Sequence, residues 1–331
     1  MTLKIQNAKL RWEKFMGDSV TQNKISKYSH KAKSWLLSIF KMLILIGISF
    51  IILGPVINMI SESFFSPADA YNPSVFLFPY EPTADNYELA AARLNYWKTL
   101  GSTGLYIVTL SIVQILITSM AGYGFARFDF PFKKLLFACV IITIVLPTHT
   151  IMLPLYQNFR NWDVFGLIKL FTGEHLNLLQ TTTPVYILTL FGTGLRSGLY
   201  IYIFRQFFRG LPKEIEEAAF IDGASTWYTF TRIMLVNAMP SVLTVFVFSM
   251  VWQYNDMFYV RLFSIPSSQN MSLSLQSLPS NVQFLDQIRD PIIAQIYTYA
   301  GVILTIVPIL VFYLIVQRYF MESLERSGIV G

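Results

Sequence analysis

Apolar positions along this chain are gathered into long runs, not spread at the spacing of a half-buried helix or strand. Residues 42–60, 99–126, 135–159, 233–255 and 291–317 hold no Asp, Glu, Lys or Arg, and residues 184–204 are interrupted only by Arg196. A helix that crosses a bilayer needs about 20 mostly apolar residues, so each run predicts a membrane span. A soluble protein with six buried helices would rarely contain so many long uncharged runs. The expected fold is all-α: a polytopic membrane protein with six transmembrane helices. Residues 1–41 read as a basic N-terminal arm, 42–320 as one transmembrane domain and 321–331 as a C-terminal tail. The first run follows a long basic segment, whereas a cleavable leader has a short charged start and a short apolar core. It is therefore expected to be retained.

Composition agrees with lipid as the solvent. Hydrophobic residues make up 54% of the 331 and charged residues 13%, against about 25% charged in a typical soluble domain. Lys and Arg fix the direction of insertion, because they collect on the cytosolic side. With the N-terminus inside, 18 of the 25 lie in inner segments, six in outer ones, and Arg196 within a span. Both termini are therefore expected to be cytosolic. The net charge of +6 then reflects topology and calls for no nucleic acid. The single cysteine, Cys139, excludes disulfides within the chain, and His30, His149 and His175 have no metal-ligand spacing. Residues 61–98, 160–183 and 258–290 become outer loops. The first carries Pro67, Pro73, Pro79 and Pro82 among aromatics, which predicts an ordered, non-helical loop at the membrane interface.

Among the inner loops, 205–232 is the long one. Pro212 suits a first helical turn, and Glu214, Glu216 and Glu217 follow where carboxylates favour the helix dipole. Ala218 and Ala219 continue a small-residue helix. Gly223 can stop it in the left-handed conformation, and Ser225 or Thr226 can cap the next one. A short helix, a sharp turn and a second helix leading into the fifth span are predicted. From these residues alone the element is either a solvated turn or a docking site.

Glu217-Ala218-Ala219, three residues, Gly223, nine residues and Ile233-x-Leu235 resemble the cytosolic signature of binding-protein-dependent ABC importer permeases, Glu-Ala-Ala-x3-Gly-x9-Ile-x-Leu-Pro. Val236 stands where the pattern has proline; Pro240 is positioned to bend the chain one turn later. Residues 82–87, the segment Ala121-Gly122-Tyr123-Gly124-Phe125-Ala126-Arg127-Phe128, Pro147 with Pro154, and Trp252-Gln253-Tyr254-Asn255-Asp256 resemble elements of the maltose/oligosaccharide type. The resemblance implies an importer permease that moves a sugar by alternating access. It implies that Glu217, Ala218, Ala219, Asp222 and Gly223 form a coupling helix seated on a separate ATPase. The implied partners are an ABC ATPase dimer carrying ATP and Mg, a homologous second permease and an extracellular substrate-binding lipoprotein. The implied location is a bacterial plasma membrane. This chain has no Gly-x-x-x-x-Gly-Lys-Ser/Thr loop for nucleotide phosphates.

Candidate pathway residues are those that a membrane interior tolerates poorly. Arg196 costs roughly 2.5–3.5 kcal/mol near mid-bilayer, so it must pair with the partner permease, meet the substrate path or snorkel. Thr148 and His149 sit beside the prolines of the third span and offer hydrogen bonds to a sugar. Trp252, Asn255 and Asp256 join aromatic and polar character at the outer end of the fifth span, suiting either a sugar or an interfacial anchor. A permease for another cargo (peptide, amino acid, glycerol phosphate) stays open. A self-contained channel or proton-coupled carrier fits less well, because the six spans contain no Asp or Glu to relay protons. A membrane enzyme ranks last, since no His-Glu-x-x-His or Gly-x-Ser-x-Gly motif occurs.

Overall fold

The computed structural model describes the backbone of residues 19–328 and the side chains of residues 33–318. The basic arm before residue 19 and the side chains of the C-terminal tail lie outside the described residues. Two compact units divide at Ser61 and Glu62. The first consists of helix α1 (Ser19–Glu62). At 1.5 Å per residue, its 44 residues extend about 66 Å, well beyond the ~30 Å of a bilayer core. Its Lys33–Glu62 part is long and apolar enough to cross a membrane, and its side chains there are mostly exposed.

The second unit opens with α2 (Pro67–Ala70), capped by Ser66, and α3 (Asp85–Leu94). The outer loop is therefore partly helical, contrary to the expectation: Pro67 occupies the first turn of α2, where its missing N–H costs nothing. Pro73, Pro79 and Pro82 keep the intervening stretch irregular. Buried Asn86 pins this loop by donating to Ser63 O and Phe65 O, both at 2.8 Å. Next comes α4 (Tyr96–Arg127), a helix of 32 residues.

The remaining predicted spans are not straight. The run 135–159 becomes α5 (Lys133–Val145), a 3-10 turn (Thr148–Ile151) and α6 (Met152–Arg160), bent by 103°. Leu146 is extended, with ψ 128°, because a residue before proline is pushed out of the helical region. After α7 (Leu167–Thr172), the run 184–204 forms α8 (Thr183–Leu190) and α9 (Ser197–Gly210). Its expected continuity is corrected here. Gly192, at φ +71°, ends α8: its N–H donates to Thr189 O and that of Thr193 to Leu188 O, the paired bonds of a Schellman stop. Gly194 then folds against Thr189, whose Cα stands 3.0 Å from where a Cβ would be.

The segment expected to form the coupling helix is α10 (Glu214–Ile221). The run 233–255 is built from α11 (Thr226–Tyr228), a π-helical turn (Thr229–Met234), α12 (Leu235–Asn237) and α13 (Met239–Tyr254). A 77° bend separates α12 from α13, and Pro240 lies in the first turn of α13, as the displaced proline predicted. The chain ends in α14 (Phe258–Leu262), α15 (Met271–Leu285) and α16 (Pro291–Gly328). Three unbroken helices and two bent pairs are thus long and apolar enough to span among the described residues, where six spans were expected.

Two apolar clusters hold the second unit. One gathers Leu94, Tyr106, Leu110, Tyr259, Phe263 and Leu278; the other gathers Tyr123, Tyr200, Phe204, Phe208, Phe230 and Met234. The second forms because α9 lies directly on α4. At Gly122 the backbones come so close that a Cβ would sit 2.6 Å from Phe204 Cβ and 2.9 Å from Arg205 N. Arg93 Nε bridges Asp286 Oδ1 and Oδ2 at 3.0 and 2.8 Å, tying α3 to the end of α15.

Candidate functional site

The loop 205–232 folds much as its residues dictate. Pro212 precedes the helix by two residues instead of lying in its first turn, and Glu214, Glu216 and Glu217 fill that turn. Gly223 has φ +82°; its N–H donates to Phe220 O and that of Ala224 to Ala219 O, a second Schellman stop. Ser225 caps the next helix, accepting from Tyr228 N at 3.3 Å.

One face of α10 is turned inward. Ala219 is buried, and so is Glu216, whose Oε1 accepts from Tyr123 OH at 2.6 Å and whose Oε2 lies 2.8 Å from Arg127 Nε. Arg127 also donates through Nη2 to Leu211 O at 2.8 Å. The helix is therefore fastened to the end of α4 by a buried ion pair. The opposite face holds Glu217, Ala218, Asp222 and Gly223, all exposed, beside Ile221 at 85% exposure. Of the five residues expected at the coupling surface, four point outward and Ala219 packs against its own chain. Glu216, Tyr123 and Arg127 were not singled out as a site from the sequence. The available signal was an acid one place from Glu217, with an arginine ending the second span.

The pathway candidates separate into two places. Arg196 occupies the left-handed region, φ +59°, at the break before α9. Its guanidinium stands 4.2 Å from the centre of the Trp252 ring, within cation–π range. Both side chains are exposed, as is Asn255, whose amide donates back to Val251 O at 2.9 Å. Among the described residues no acid pairs with Arg196. Asp256 does not join this surface. It is buried just beyond the end of α13, where Oδ1 accepts from Phe258 N and Tyr259 N at 3.0 and 3.3 Å. Burial pushes its carboxyl up to about 6, against the smaller opposing effect of those two N–H groups.

His149 belongs to the second place. Its ring meets Phe258 edge-on at 4.9 Å. It lines an open cavity of about 540 Å³ with Tyr156, Phe258, Arg261 and Ser264. Thr148 begins the 3-10 turn beside it and is half-buried.

Comparison with known proteins agrees with this architecture. The family described as "Binding-protein-dependent transport system inner membrane component" matches residues 114–325. An arabinooligosaccharides transport system permease protein of Halalkalibacterium halodurans is 28% identical, covering 90% of this chain and 97% of its own length. A diacetylchitobiose uptake system permease protein of Streptomyces coelicolor is 26% identical, covering 84% of each. In fold, the chain is similar to a bacterial ABC transporter involved in import of the acidic polysaccharide alginate. The TM-score is 0.68 at 19% identity, over 87% of this chain and 98% of that one. The chain is a membrane transport component and not an enzyme: it belongs to the family of inner-membrane permeases of binding-protein-dependent ABC importers.

Proposed function

We propose that this permease carries a sugar or oligosaccharide across a bacterial plasma membrane, both termini cytosolic, with ATP and Mg held by a separate ABC ATPase dimer. A homologous second permease and an extracellular substrate-binding lipoprotein complete the transporter. Sugar is the cargo named for the relatives in Halalkalibacterium halodurans and Streptomyces coelicolor, and it fits the exposed chemistry here. A tryptophan face suits the C–H face of a pyranose, while arginine and asparagine offer planar donors to hydroxyls.

The observation that carries the reading is the two-faced helix α10. Its buried face is locked to α4 through Glu216, and its exposed face presents Glu217, Ala218, Ile221 and Asp222, whose side chains meet no ion-pair partner among the described residues. Such a helix transmits force between α4 and whatever binds its outer face. Closing of the ATPase dimer on nucleotide would move α10 and with it the helices that surround Arg196 and Trp252, exposing the path outward. Hydrolysis would reset it.

The test is isolation of the tagged chain from its host in mild detergent, followed by uptake of radiolabelled arabino- and chito-oligosaccharides. Recovery of an ATPase and a second permease, with uptake abolished by an ATPase-dead partner, is the expected result. A chain that purifies alone after cross-linking and conducts without ATP would replace this reading with a channel.

A further inference from the structure

The path reading leaves open how a broken helix keeps Arg196 in place, and one buried side chain answers it. Gln114 on α4 uses all four of its hydrogen-bonding positions. Its Nε2 donates to Leu195 O at 2.5 Å and to Ser197 Oγ at 3.1 Å, the residues on either side of Arg196. Its Oε1 accepts from Ser249 Oγ at 2.7 Å and from Gln253 Nε2 at 3.3 Å. Those two residues lie on α13 and flank Trp252. Ser249 Oγ also meets Ser111 Oγ at 2.8 Å. Gln114, Ser111, Ser249 and Gln253 are fully buried, and Ser197 nearly so.

This network does more than join helices. The break between α8 and α9 leaves Leu195 O outside either helical ladder, and a freed carbonyl at membrane depth must find a donor within the protein. Gln114 supplies it. Arg196 itself sits in a left-handed conformation that non-glycine residues rarely hold without support. The same amide that braces the residues on both sides of it braces both flanks of Trp252. Among the described residues no acid pairs with the guanidinium, so its place over the indole depends on these two backbones keeping register.

We propose that Gln114 is a positioning residue for transport: one amide aligns the break carrying Arg196 with the helix carrying Trp252, and so shapes the path at that depth. This rests on the reading of Arg196 and Trp252 as path residues.

The test uses the assembled transporter in native membranes, with Cys139→Ser as background. Arg196→Cys with Trp252→Cys is treated with a short thiol cross-linker, and the rate is compared with and without Gln114→Met, which keeps the size and removes the polar contacts. Phe246→Cys with Phe312→Cys, across a ring contact between α13 and α16, serves as the control pair. A fall of roughly five- to tenfold at 196–252 is expected, the scale of one or two lost interhelical hydrogen bonds in a membrane, with the control rate unchanged. An unchanged 196–252 rate, or an equal fall in both pairs, overturns the proposal. If Gln114→Met does not assemble, Ser249→Ala with Gln253→Met, which removes only the α13 half, decides the question by the same comparison. Failure of the path reading shows separately, as unaltered uptake of an arabino-oligosaccharide by Arg196→Ala.

Discussion

Glu216→Ala is the sharpest test of α10 as a rigid lever. In the native chain the Glu216 and Arg127 side chains are 9% and 8% exposed. Removing the carboxylate leaves a guanidinium buried with one carbonyl partner, Leu211 O, and strips Tyr123 OH of its acceptor. Breaking a buried ion pair from one side costs about 3–5 kcal/mol. The surviving bond to Leu211 places this case near the lower end, about 3 kcal/mol. An isolated eight-residue helix has no comparable stability of its own, so α10 should detach from α4 and keep its helical form only where the ATPase holds it. In proteoliposomes holding the complete transporter, ATP hydrolysis is expected to remain within about twofold while sugar uptake falls at least tenfold, because the lever still binds but no longer pulls. Replacing both members, Arg127→Met with Glu216→Met, should recover part of the uptake, since apolar groups of similar volume often substitute for a buried pair at little cost. Glu217→Ala is the contrast: that residue is exposed, so chain stability should shift by no more than ~0.5 kcal/mol, and any effect should lie in ATPase affinity. Native coupling in Glu216→Ala would refute the reasoning outright.

Substitutions at three further positions follow from the geometry. At Gly223 a side chain meets open space but a backbone at φ +82°, so Gly223→Ala should cost about 1 kcal/mol through strain and Gly223→Asn less; sugar transported per ATP reads the difference. Gly122→Leu should separate α4 from α9, with a penalty of about 1–3 kcal/mol or more for overpacking, visible as loss of folded chain in detergent. Asp256, raised to about 6 from an ordinary 3.8, holds its proton in the folded chain between those values. Its contribution is most favourable below about pH 4, declines as pH rises toward 6 and stays low above that, by at most ~3 kcal/mol. Asp256→Asn should flatten that slope and raise thermal stability at pH 7; an unchanged melting profile from pH 4 to 7 would contradict the assignment.

The near absence of charge in six runs revealed which segments could face lipid, because composition alone decides that. It said little about backbone direction. Pro240 announced one bend, and Pro147 makes the other, since proline lacks an N–H and restricts its neighbour wherever it stands. Gly192 announced nothing: a glycine in an apolar run is as much at home inside a membrane helix as at its end, and only its bond to Thr189 O, together with that of Thr193 to Leu188 O, makes it a stop. The inner loop 205–232 was legible down to its turn, because Gly223 and Ser225 act through local backbone chemistry. Its anchor was not, because Tyr123 and Arg127 lie about 90 residues earlier and no local pattern joins them to Glu216.

The neighbours Glu216 and Glu217 show why a signature of this kind leads to only half of a mechanism. Successive residues on a helix point about 100° apart, so two adjacent carboxylates of identical chemistry serve opposite faces. Glu217 belongs to the outward surface, where a second chain is needed to give it meaning. Glu216 belongs to the inward surface, where its value lies in a buried pair within this chain. A lever needs both a handle and a fulcrum. If α10 is one, charge removal at 217 should be rescued by a compensating change on the ATPase. Charge removal at 216 should be rescued only from within, at Arg127.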